Sequence, residues 1–207
     1  HVRLYRPIDV TPRSPARLPQ QIRPIRLPLP NGDGLLAALQ TKRSRDPGMF
    51  DFLRDALRSA YPGFEDMDLE PVAAGQVVLT WRERGQQFYG NELSDGALRF
   101  LWLATLLSNS EPPPLMMVDE PEVSLHPTLL MILRDLLREA STHGQVLVAT
   151  QSPELVSWLD PRELAVVDLD DEGWTTVTSG AKLDVASWLE DYTLGQLWTK
   201  GVIGGRP

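Results

Sequence analysis

The run Leu115-Met-Met-Val118-Asp119-Glu120-Pro121-Glu122-Val-Ser-Leu-His126-Pro127 constrains this chain more than any other. Four consecutive apolar residues read as a buried strand. The strand stops at two adjacent carboxylates, and Pro127 suits the first turn of a following helix. The rhythm then repeats: strand Gln145–Ala149, short helix Pro153–Trp158, strand Leu164–Leu169. Alternating strands and helices imply parallel strands joined by right-handed crossovers. In such open α/β sheets the carboxyl ends of the strands hold the ligand, so Asp119 and Glu120 stand where chemistry is expected.

The first half has a different texture. Residues 1–33 contain seven prolines and no helical period, which predicts an extended, irregular or polyproline-like course. Leu35–Leu39 reads as a short helix and Pro47–Ala60 as a longer one, with Phe50, Leu53 and Leu57 on one face. Gln76–Trp81 reads as a strand that turns at Arg84-Gly85 toward Phe88-Tyr89. Asp95–Leu107 is apolar almost all round and is therefore a buried helix. Pro127–Ala140 is the helix after the paired carboxylates. Asp170-Asp-Glu-Gly173 is a hairpin turn into Trp174–Val177, Asp184–Tyr192 is amphipathic, and no internal repeat is evident.

At 207 residues the chain can bury a core. No stretch reaches the ~18–20 apolar residues of a membrane span, and the first residues lack the apolar core of a signal peptide. Having no cysteine, it has no disulfide, thiolate metal site or cysteine nucleophile, which fits a cytoplasmic location. Residues 1–30 hold six arginines against one acid, leaving 14 basic and 27 acidic residues for the rest. An acidic body disfavours broad nonspecific nucleic-acid binding. The basic head is expected to pack on an acidic surface of its own protein, with contact to a phosphate backbone as the alternative.

Three segments carry candidate chemistry. Phosphoryl transfer to water needs oxygen ligands for Mg²⁺ and a carboxylate to orient or deprotonate the water; Asp119 suits the first role and Glu120 the second. Leu93-Ser94-Asp95-Gly96 opens the buried helix, whose N-terminal N–H groups suit a phosphate; the plain alternative is a helix cap. Thr150-Gln151-Ser152 follows the next strand, and there too a cap of the Pro153 helix is the alternative.

In this order, Leu-Ser-Asp-Gly-Ala-Leu-Arg, Leu-Met-Met-Val-Asp-Glu-Pro-Glu-Val-Ser-Leu-His-Pro and Ala-Thr-Gln-Ser-Pro-Glu-Leu resemble the C-terminal half of an ABC-type ATPase of the RecF/SMC-like and OLD-like group, often labelled AAA-type. The likeness runs from about Leu35 to the end and is most specific over 91–155. It implies a P-loop NTPase-like α/β head with an incomplete N-terminal lobe, and ATP and Mg²⁺ as cofactors. It implies that Leu93, Ser94, Asp95, Gly96 and Arg99 form the signature that meets nucleotide held by an opposite protomer. Asp119 then lies at the metal, Glu120 is catalytic, Glu122–Pro127 is the D-loop, and Gln151 occupies the switch-histidine position.

The same likeness divides the chain into an irregular segment 1–34, a remnant of the N-terminal lobe or helical insertion over 35–90, and the ATPase half over 91–207. It implies heads that form a homodimer around ATP and act on a partner, nucleic acid or an effector protein, in DNA repair or antiviral defence, with no membrane. Two departures stand out. No Gly-x-x-x-x-Gly-Lys-Ser/Thr occurs, so a separate N-terminal lobe is expected to supply the phosphate loop, and the isolated chain is expected to be inactive. Glutamine at 151 cannot become cationic. A degenerate domain serving only in dimerisation is the competing reading. His126 as a metal ligand, Asp168 and Asp170 as a nuclease pair, and the tryptophans as a base-stacking surface are all disfavoured.

Overall fold

In the computed structural model, which describes residues 2–205, the strand ending in Asp119 is the middle one of three parallel strands. The first half of the chain supplies β1 (Val2–Tyr5), β2 (Gln20–Gln21), α1 (Leu35–Arg45), α2 (Pro47–Ala60), β3 (Phe64–Pro71), β4 (Gln76–Glu83) and β5 (Gln86–Tyr89). Then come α3 (Asp95–Leu107), β6 (Leu115–Asp119), α4 (Pro127–His143) and β7 (Gln145–Ala149), which complete a first unit ending at Ala149. A second unit starts at Thr150 and holds α5 (Pro153–Val156), β8 (Ala165–Leu169), β9 (Thr175–Ser179) and α6 (Leu194–Thr199).

Both β1 and β7 pair in parallel with β6, Val2 and Gln145 lying opposite Leu115. Alternation along each strand sorts the side chains onto two faces. Tyr5, Met116 and Val118 lie on one face and are buried; the Tyr5 ring meets Trp102 of α3 edge-on at 5.9 Å. The other face carries Val2, Leu4 and Leu147, which are 63%, 43% and 51% exposed. Parallel sheets are ordinarily covered on both faces, so this apolar face is an anomaly of the first unit.

Helix α3 explains the covered face. Its hydroxyl cap Ser94 starts it, and ten of its thirteen residues are buried, as its apolar sequence demands. Ahead of it, β3 and β4 form an antiparallel ladder, and β4 turns into β5 at Arg84-Gly85. Both turn residues have positive φ, 50° and 73°, the torsions of a tight hairpin turn. Helix α2 begins with Asp46 as side-chain cap and Pro47 at its first turn, and buries Leu53, Ala56 and Leu57. The second unit has its own small core of Val156, Val185, Leu194, Leu197 and Ile203.

Several expectations need correction. Within the extended or irregular course expected of residues 1–33, two stretches pair in sheets, which was not expected: Val2–Tyr5 with β6 and Gln20–Gln21 with β4. Helix α1 continues to Arg45 because nothing in Gln40–Arg45 breaks it. Strand β8 pairs antiparallel with β9 across the turn at Asp170–Gly173, as the hairpin signal implies, but among the described residues it has no parallel partner, contrary to the crossover pattern. Of the amphipathic run 184–192, only Trp188–Glu190 forms a single 3-10 turn.

Candidate active site

Asp119 is the last residue of β6, opposite Ala149 of β7. The Glu120 N–H still reaches the Ala149 carbonyl at 2.8 Å, so the ladder extends one bond beyond the strand. There the chain turns sharply, with Glu120 at φ 44° and Ser124 at φ 62°. Left-handed torsions cost a side-chain-bearing residue about 1–2 kcal/mol and cluster at functional sites. The turn is fastened by Val123 N–H to Glu120 carbonyl at 3.2 Å and Leu125 N–H to Glu122 carbonyl at 3.0 Å. Asp119 and Glu120 are both half-buried, and Asp119 Oδ2 lies 3.6 Å from Arg6 Nε. Arg6 is 73% exposed, so this ion pair contributes little to stability.

The segment from Leu93 to Arg99 lies against this turn. Ser94 caps α3, its Oγ accepting from the Ala97 N–H at 3.2 Å. A Cβ at Gly96 would sit 3.0 Å from the Ser124 carbonyl oxygen, so glycine permits this close approach. One turn later Arg99 donates to Ser124 Oγ at 2.5 Å and to the Val123 carbonyl at 3.4 Å. Leu93 is buried, and Asp95 pairs with Arg17 at 2.6 Å. Gly96 and Arg99, meeting Val123 and Ser124, thus join the start of α3 to the loop after β6.

Gln151 is exposed and is the second residue of the second unit, two residues beyond the end of β7. Next to it, Ser152 caps α5 by accepting from the Leu155 N–H at 3.3 Å. His126 caps α4, Nδ1 accepting from the Thr128 N–H at 3.3 Å. Asp170 Oδ1 accepts from the Glu172 and Trp174 N–H groups at 3.1 and 2.7 Å, and Asp168 Oδ2 from Gly205 N–H at 2.8 Å. Those contacts make the second pair of aspartates parts of a turn and a strand. Trp102 is buried in the core of the first unit.

Among the described residues no group of three or more His, Cys, Asp or Glu side chains could cage a metal. Mg²⁺ in phosphoryl-transfer sites needs no cage, being held by one or two carboxylates, water and substrate phosphates. A single strand-end carboxylate 38% exposed, Asp119, fits that donor set.

Sequence reasoning missed Arg17. It is one of six arginines in a proline-rich segment, and nothing in its flanks distinguishes it from the other five.

The sequence matches the family described as AAA domain, putative AbiEii toxin, Type IV TA system over residues 7–157. No curated protein matches it. Among solved structures it is similar to an SMC ATPase described for ATP-driven dimerization and DNA-stimulated activation, at TM-score 0.53 and 19% identity, over 72% of this chain and 96% of that one. The Smc head domain of Pyrococcus furiosus, with an extended coiled coil and bound to the C-terminal domain of ScpA, matches at TM-score 0.54 and 17% identity over 74% of this chain and 40% of that one. The Smc head domain of Pyrococcus yayanosii, with a coiled coil and joint, matches at TM-score 0.51 and 17% identity over 70% of this chain and 28% of that one. No helix among the described residues is long and apolar enough to cross a membrane.

Proposed function

The chain belongs to the AAA domain family whose description includes a putative AbiEii toxin, and we propose that it forms the water- and magnesium-handling half of a composite ATPase site. The family and the SMC-head fold make it an AAA-type ATPase domain. The observation that carries the finer reading is the junction of the strained Asp119–Glu120 turn with the cap of α3 through Gly96 and Ser124. In this reading Asp119 holds Mg²⁺, and Glu120 orients the attacking water and takes its proton. When bound, Mg²⁺ neutralises charge on the phosphate oxygens. Ser94 and the N–H groups at the start of α3 face the γ-phosphate of nucleotide held by an opposite protomer. By the family resemblance Gln151 stands at the switch position, where a glutamine can hydrogen-bond a γ-phosphate or water and stays neutral throughout.

The phosphate-gripping loop is supplied by a further lobe. Supporting this is the bare face of the parallel sheet, where Val2, Leu4 and Leu147 stand exposed, together with the lack of a Gly-x-x-x-x-Gly-Lys-Ser/Thr motif. ATP then holds two heads together, hydrolysis separates them, and the heads act as a switch on nucleic acid or an effector protein. A second reading, a degenerate dimerisation module, is favoured by Gln151 and the lacking loop; the retained carboxylate pair weighs against it.

Calorimetry separates one-piece from composite sites. The 207-residue chain alone is expected to show no ATP binding at tens of micromolar, and binding is expected when a lobe bearing the phosphate loop is added. Tight binding by the chain alone contradicts a composite site.

A further inference from the structure

We propose that Arg17 is a positioning residue that clamps the segment leading into α3 and neutralises Asp95 beside the expected phosphate. The electrostatic half of this inference rests on the composite-site reading; the clamp itself does not.

Only 7% of the Arg17 side chain is exposed. Its Nε donates to the Val10 carbonyl at 2.7 Å. One terminal nitrogen donates to the Leu93 carbonyl at 2.7 Å and the Asn91 carbonyl at 3.2 Å, with the Gly90 carbonyl at 3.5 Å. The other meets Asp95 Oδ1 at 2.6 Å. A planar guanidinium can bridge a backbone segment and a carboxylate at once, which an ammonium cannot do. The perch is itself fixed: Arg17 ends a 3-10 turn, Pro15–Arg17, capped by the buried Ser14. Gln20 then ties the Pro15 carbonyl, at 2.7 Å, to the Leu36 N–H of α1, at 3.0 Å.

Two consequences follow for Ser94. The carbonyls just before it and the Asp95 carboxylate just after it are held by a group anchored elsewhere in the unit, so the cap geometry is set before any ligand arrives. Asp95, in the first turn of α3, is favourable for the helix dipole but opposes an approaching phosphate. Arg17 offsets that charge through hydrogen bonds that go to neither Ser94 nor Gly96.

Hydrogen exchange on the 207-residue chain tests the clamp. Arg17→Gln is expected to speed exchange of the Ala97 and Leu98 amides, which donate to the Ser94 Oγ and carbonyl, about tenfold while those of the β3–β4 ladder keep their rates; Arg17→Lys falls between. Unchanged exchange at Ala97 and Leu98 overturns the clamp. If Arg17→Gln unfolds the chain, the comparison of Arg17→Lys with the parent decides it.

The electrostatic role is tested by ATP-driven association of the chain combined with a lobe bearing the phosphate loop. Arg17→Gln is expected to weaken association roughly tenfold, and Asp95→Asn in that background to recover most of the loss. Failure of Asp95→Asn to recover it overturns charge neutralisation. Absence of ATP-driven association in the parent protein overturns the composite-site reading, and with it this electrostatic role, while the exchange result decides the clamp independently.

Discussion

Glu120 has a backbone torsion that glutamate ordinarily avoids, φ 44°, at the point where β6 delivers its carboxylates. Glycine there removes the steric cost but adds entropy to the unfolded chain. Glu120→Gly is therefore expected to unfold at a urea concentration no lower than the parent, and Glu120→Val to lose about 1–2 kcal/mol, because β-branching suits this region least. Lys42 shows a different tension. It is 4% exposed, and burial lowers its pKa from 10.5 to about 8, with Asp46 pulling it partly back. Between about pH 8 and 10.5 the unfolded chain binds a proton that the folded chain does not. Stability therefore rises with pH through that window, and the penalty is fully present below it. The shift amounts to roughly 3 kcal/mol at most. Lys42→Met is expected to be more stable than the parent near neutrality, and urea midpoints taken from pH 7 to 10.5 should converge as pH rises. A parent curve flat over that range would contradict the buried ammonium. Arg17 marks the limit of reading at this scale, since its partners are mostly backbone carbonyls that leave no trace in sequence.

Elements were legible where local chemistry and burial agreed. Helices α2 and α3 and strand β7 have the bounds that caps, prolines and apolar runs announce. Strand β3 was missed because four of its eight residues are acidic and a register shift at Phe64/Asp66 breaks its alternation. Its acids are instead matched by helix arginines, Arg43 to Asp68 at 2.5 Å and Arg54 to Asp66 at 2.9 Å. The site followed the same logic. Asp119, Glu120 and Ser94 were readable as strand end and helix cap, whereas the approach of α3 to the loop after β6 required coordinates. That approach is a prediction about elements: Arg99 and Ser124 should be energetically coupled. A double-mutant cycle of Arg99→Ala and Ser124→Ala, read by urea unfolding, is expected to give about 0.5–1.5 kcal/mol of interaction. Strict additivity would mean that the 2.5 Å contact does not hold α3 to the loop.

For the whole molecule, the composition of the two units matters more than their number. The first has a well-filled core between its helices and one face of the parallel sheet, yet leaves Val2, Leu4 and Leu147 on the other face in water. Exposed apolar faces of this kind mark interaction surfaces or aggregation liabilities. Leu147→Lys is accordingly expected to raise the solubility of the isolated chain and to abolish binding of the lobe that carries the phosphate loop, with little change in the unfolding midpoint; retained lobe binding would place the lobe elsewhere. The central claim concerns the site that such a lobe would complete. Steady-state ATP turnover of the completed protein tests it most directly, compared with Glu120→Gln. The account predicts turnover in the parent, and in Glu120→Gln a loss of at least about a hundredfold with ATP-bound dimers accumulating. Turnover at the background rate in the parent, or an undiminished rate in Glu120→Gln, would contradict it.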